Sequence, residues 1–315
     1  MKISRNTSAA LLLFFLPCFS VEVLSGNMPL HMYFNPIMFI MMNLMYAGAL
    51  LIRETVIRWN KGLVSVFLLG AAYGMVNEGI GSKGYFDPHF YAVVGFGLEN
   101  FGRVFEINVP WAVDITIIHM VYSITVPIVI ITVMFPGKER WLSDKSFFTL
   151  LSVFIFVTVF FTQMMSPYVA PLRPFALVIA LILLLIIAAK VCPDFPAPKP
   201  IKYSGNTALL NSLPFLWGTA VAFAFIFVPA LVRQWVPFPP LYVVVVIGFV
   251  FLFAWLFWRF SQMPGFSRIA FVSGILMPWI IHALTSGNSI ILVAIVLMVF
   301  LIMVWRKSQT ELARI

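Results

Sequence analysis

Apolar runs of about twenty residues recur along this chain, separated by short polar breaks. A helix rising 1.5 Å per residue needs about 20 apolar residues to cross a hydrocarbon core of about 30 Å. By that measure the pattern predicts ten helices, roughly 8–25, 35–52, 62–81, 110–135, 146–165, 174–191, 212–232, 239–258, 268–285 and 288–305. The fold class is therefore an all-α, polytopic transmembrane bundle of about ten helices. The proline-rich, polar stretch Cys192–Asn211 is the clearest break. It divides a six-helix half, 1–191, from a four-helix half, 212–315, with a linker, 192–211, between them.

Composition agrees, since 62% of the 315 residues are hydrophobic and 10% are charged, against about 25% charged in soluble domains. The net charge of +9 would suggest nucleic acid in a soluble chain. No basic cluster lies among exposed aromatics in a polar setting, so nucleic-acid binding is rejected, and retention of Lys and Arg in inner loops accounts for the charge. With the N-terminus inside, the outer loops hold only Lys83, Arg103, Arg173 and Arg233, and the other sixteen basic residues fall on inner segments. Both termini are then cytoplasmic. Cys18 and Cys192 fall at opposite faces, too far apart for a disulfide.

The first segment starts as a signal peptide does, with Lys2 and Arg5 before an apolar run from Ala9 to Val21. No clean small-x-small site follows, and Pro17 before Cys18 spoils a lipoprotein box. The segment is read as a retained helix.

The connection from Ser82 to Val109 is too apolar for a freely solvated loop. It either folds back onto the outer face of the bundle or forms an interfacial loop with an aromatic belt.

Acidic residues are lopsided: of 11, only Asp194 and Glu311 lie beyond residue 150. Acid chemistry within the membrane therefore belongs to the first half, and the last four helices read as packing and lipid-facing scaffold. An acid inside a span is costly and marks a site by default. Glu78 lies about 25 Å along the third helix, in its outer third. His119 is on the fourth helix, about 13 Å deeper than Pro110. Asp114 and His119 diverge by about 140° around that helix, whereas His119 and Ser123, at i and i+4, share a face. Glu22 ends the first helix, and Tyr73, Asn77 and Lys83 stand near Glu78. The cluster of Glu22, Tyr73, Asn77, Glu78, Lys83, Asp114, His119 and Ser123 is the main functional signal.

In a partly dry pocket, Glu78 as base and His119 as donor to a developing oxyanion can activate water. The same atoms, with Asp114, supply ligand types for a divalent metal, which hydrolysis does not require. A pair bonded only to fix the bundle is the competing account. Glu54 differs, since Arg58 at i+4 makes it an interfacial ion pair. His282 reads as a helix-end histidine, and His31 and His89 lie in outer loops. Gly70 and Gly74 form a small-xxx-small pair that brings the third helix against a neighbour.

The run NEGIGSKGYF, Asn77 to Phe86, resembles the EExxxR or EExxK motif of glutamic intramembrane proteases of the CAAX-protease, bacteriocin-processing and PrsW types. Glu78 matches the second glutamate and Lys83 the basic residue, while Asn77 stands where the first glutamate belongs. His119 takes the place of the histidine those families supply from a later helix. The resemblance implies a hydrolase acting on a membrane-protein or peptide substrate. More broadly, GAAYGMVNEG, the FDP of Phe86–Pro88 and HMVYSITVP are similar to uncharacterised multi-pass proteins of prokaryotes, which implies a prokaryotic plasma membrane and the lipid bilayer as partner. Three classes stay open: the hydrolase, a proton- or cation-coupled transporter, and a non-catalytic scaffold.

Overall fold

The computed structural model describes residues 4–165, 167–196, 207–287 and 289–312. Half of the predicted linker, residues 197–206, lies outside them. Ten long helices occupy the places that the apolar runs predict: α1 Arg5–Val23, α2 Pro36–Arg58, α3 Leu63–Gly81, α4 Val109–Met134, α5 Asp144–Met165, α6 Leu172–Val191, α7 Thr207–Trp235, α8 Pro239–Ser261, α9 Gly265–Thr285 and α10 Ile290–Leu312. Among the described residues, nine of these are long and apolar enough to cross a membrane, and α5, of 22 residues, stands at the fifth predicted position.

Local chemistry sets the starts. Ser4 caps α1 by accepting from Thr7 N at 3.2 Å. Asn35 accepts from Ile37 N and Met38 N ahead of Pro36, and Asn108 accepts from Trp111 N ahead of α4. Each satisfies amide donors that a helix start leaves open. The end of α2 lies six residues past the predicted 52, at Arg58. Glu54 does not end the span because it is taken inside the protein, fully buried. Its carboxylate accepts from Arg53 at 2.5 Å, Arg58 at 2.6 Å, Trp141 N at 3.0 Å and Leu142 N at 3.2 Å. The predicted ion pair is there, and it also fastens the loop between α4 and α5.

Glycine sets the closest helix crossings. A Cβ on Gly70 would lie 3.2 Å from Met120, and one on Gly74 would lie 3.0 Å from the Thr116 backbone, so the small pair of α3 faces α4. At the α7–α9 crossing the approach is tighter: a Cβ on Gly218 would meet Phe271 O at 2.1 Å, and one on Gly274 would meet Phe215 O at 2.2 Å. Helices α9 and α10 also pack on α4. One apolar cluster consequently runs from Ala9 to Val304, across both sequence halves.

The 82–109 connection folds back. Tyr85, Phe86, Val93 and Leu98 are buried against Trp111 and Ile115 of α4 and Val178 and Ile182 of α6. Inside it, β1 (Arg103–Val104) pairs antiparallel with β2 (Ile107–Asn108). Phe105 and Glu106 turn between them at φ of 48° and 63°, as a tight hairpin turn requires. Phe96 and Phe105 stay exposed on the same connection, in keeping with an aromatic belt at the membrane interface.

Candidate functional site

Three spans change pitch at one level of the bundle. α1 ends in a π-helical segment, Phe19–Val23, and α3 in another, Val76–Gly81; α4 holds a third, His119–Thr125. The wider i→i+5 pairing is visible in Ser82 N bonding Asn77 O at 2.9 Å and Leu24 N bonding Phe19 O at 3.2 Å. Each segment carries an ionisable side chain, Glu22, Glu78 or His119. Such segments are rare and recur at functional sites, because an extra residue in the turn re-aims the side chains around it.

Glu78 and His119 meet. Glu78 Oε1 lies 3.2 Å from His119 Nε2, with the histidine side chain 2% exposed and the glutamate 13%. Ser123 Oγ is 2.9 Å from His119 Nδ1, and Ser82 Oγ donates to Glu78 Oε2 at 2.9 Å. With Glu78 as carboxylate, Nε2–H donates to it and Nδ1 accepts from Ser123, so both ring nitrogens are held and the tautomer follows from the partners. The four side chains form a continuous chain of hydrogen bonds. A Cβ on Gly84 would lie 3.2 Å from Glu78 Oε2 and 2.9 Å from the Phe90 ring, so the backbone just past α3 closes over the carboxylate.

Aromatic side chains wall the pair. Tyr73 meets the His119 ring edge-on at 5.8 Å between centroids, and Tyr46 lies 6.2 Å away on another side. Tyr73 donates to Met45 O at 3.1 Å and accepts from Asn77 at 3.2 Å. That ring is pressed against Gly48, where a Cβ would stand 2.3 Å from it. The hydroxyl of Tyr46 donates to Glu22, and Glu22 is within electrostatic range of both His119 and Glu78.

The structure therefore gathers Glu22, Tyr73, Asn77, Glu78, His119 and Ser123 at one level. Two of the predicted cluster point elsewhere. Lys83, with φ of 59°, sends its ammonium to Tyr168 O at 2.8 Å. Asp114 accepts from Tyr242 of α8 at 2.7 Å, as the 140° divergence from His119 requires. The ligand set of Glu78, His119 and Asp114 is thus not assembled, and no group of three or more His, Cys, Asp or Glu suited to a metal occurs among the described residues. Cys18 and Cys192 are both free thiols.

Ser82 and Tyr46 belong to the site and escaped the sequence reading. Ser82 is four residues after Glu78, the helical spacing that also linked His119 with Ser123, and was legible in principle. Tyr46 carried no such signal, since its partner is 24 residues away on another helix.

Residues 11–313 of the chain match a family described as "Uncharacterized membrane protein family". The chain belongs to that family. No curated protein and no solved structure matches this family member. Membership supports the multi-pass reading and leaves the protease-like fragment at Asn77–Phe86 resting on its own residues.

Proposed function

We propose that Glu78 and His119 form a water-activating dyad of an intramembrane hydrolase acting on a membrane-embedded peptide. Glu78 takes a proton from water, the resulting hydroxide attacks a carbonyl, and His119 donates to the developing oxyanion. Glu78 then returns its proton to the departing amine. The observation that carries this reading is the 3.2 Å contact between Glu78 Oε1 and His119 Nε2. Support comes also from the bonds of Ser82 and Ser123, which hold the pair in one geometry, and from the three π-helical segments that converge there.

The test is cleavage of labelled single-span peptides by the protein in liposomes. Glu78→Gln and His119→Ala are each expected to lower the rate about 10²–10⁴-fold, with helix content unchanged. Full activity in both variants removes the assignment. The unbroken chain Ser123–His119–Glu78–Ser82 favours proton relay as a second reading. In that case a pH-sensitive dye inside the liposomes reports Glu78-dependent proton entry, and no peptide is cut.

A further inference from the structure

A cavity of about 470 Å³ lies between α2, α3, α5 and α6, lined by Gly48, Leu51, Tyr73, Leu151 and Ile182 among others. Phe148 and Ile186, on its flanks, are exposed on the outer surface of the bundle. The cavity is thus a groove open towards lipid between α5 and α6. Along α2 it reaches from Gly48 to Trp59, about 17 Å at 1.5 Å per residue.

Its two ends differ. At the Gly48 end the wall is Tyr73, the ring that packs on His119. At the other end Arg58 and Trp59 line it, and the exposed Lys190 ammonium lies 6.0 Å from the Trp59 ring. Lys61 adds a third cation beside them, donating to Cys192 O at 2.9 Å. Of the nearby acids, Glu54 is enclosed and fully bonded, and Asp144 is shared between Arg58 and Arg140. Asp194 lies against Gly62. An apolar slot ending in cations and an interfacial tryptophan has the polarity of a single anionic lipid, tail inside and headgroup at the rim.

Size selects among membrane occupants. At roughly 30 Å³ per water- or methylene-sized group, 470 Å³ holds about 16 such groups, one acyl chain. A spanning helix about 30 Å long and 10 Å across needs roughly 2,400 Å³. A second groove of about 370 Å³, lined by Phe15, Phe34 and Phe300, has no charged lining residue. It offers nothing to a headgroup.

We infer that the α2–α3–α5–α6 groove holds one anionic phospholipid, an acyl chain along α2 and its phosphate at Arg58, Lys61 and Lys190. The inference is independent of the hydrolase reading, although the bound chain would press on the Tyr73 wall. It is tested by native mass spectrometry of the detergent-purified protein with phosphatidylglycerol, with phosphatidylcholine of the same chains, and with inorganic phosphate. Phosphatidylglycerol should bind one per protein, about tenfold more tightly than phosphatidylcholine, and phosphate alone should not bind. Lys190→Glu on the exposed rim should lower phosphatidylglycerol affinity by about tenfold or more, as should Ile186→Trp, which narrows the groove. Arg173→Glu, at the opposite end of α6, should leave affinity unchanged. Equal binding of the two lipids, or full binding by Lys190→Glu, overturns the inference; since that variant alters only an exposed side chain, it decides even if Ile186→Trp fails to fold.

Discussion

At the scale of single residues, the buried charge of Glu54 is matched by a complete set of bonds, whereas Arg53 beside it is buried with Nε and Nη2 unbonded. Glu54 has four donors around a fully enclosed carboxylate. Removing it leaves Arg53 buried beside Trp141, whose ring it covers at 3.5 Å. Breaking such a pair by deleting one partner costs about 3–5 kcal/mol, so Glu54→Ala should lower the thermal midpoint sharply in a detergent melt, whereas Asp144→Ala, on an exposed side chain, should barely move it. Glu78 is bonded differently, to one histidine and one serine while staying partly exposed. Ser82→Ala should cost about 1 kcal/mol of stability, yet lower any Glu78-dependent activity by freeing the carboxylate to rotate. A stable Ser82→Ala protein with unaltered rate would show that the serine does not position Glu78.

At the scale of helices, the bundle rests on glycines that let backbones touch. Gly218 and Gly274 each face a carbonyl of the opposite helix at a distance no Cβ tolerates. Gly218→Leu should therefore part α7 from α9 and destabilise the protein by about 3 kcal/mol, the upper end of overpacking penalties. Gly48→Ala acts on the site instead. Its methyl would displace the Tyr73 ring, which is pinned by Met45 O and Asn77. The expected outcome is a modest fall in the melting midpoint, with a larger loss of whatever activity depends on His119. The small-residue pair of α3 was legible from its four-residue spacing, because that spacing repeats on one helix face. The π-helical segments were not, since a one-residue change of pitch leaves no mark on an apolar pattern read with a tolerance of several residues.

At the scale of the molecule, the N-in, C-in orientation proposed from the basic residues invites a direct check. In a background where Cys18 and Cys192 are serine, His89→Cys should react with a membrane-impermeant maleimide added to intact cells, and Lys138→Cys only after lysis. The reverse pattern would invert the topology and with it the side from which Glu78 is reached. Ten helical positions and the placing of the membrane acids in the first half followed from the sequence, because the membrane demands length and apolarity from every span. For the Ser82–Val109 connection the sequence left fold-back and an interfacial loop open, and the packing of Tyr85, Phe86, Val93 and Leu98 decides for fold-back. The meeting of Glu78 with His119, expected from their levels in the membrane, is found, whereas the partners of Glu22 and Asp114 did not follow. Tyr46 and Glu22 are 24 residues apart, and Asp114 and Tyr242 128. Those pairings depend on the rotation of each helix about its axis, which is set by glycine contacts with neighbours and so exists only once the helices have packed.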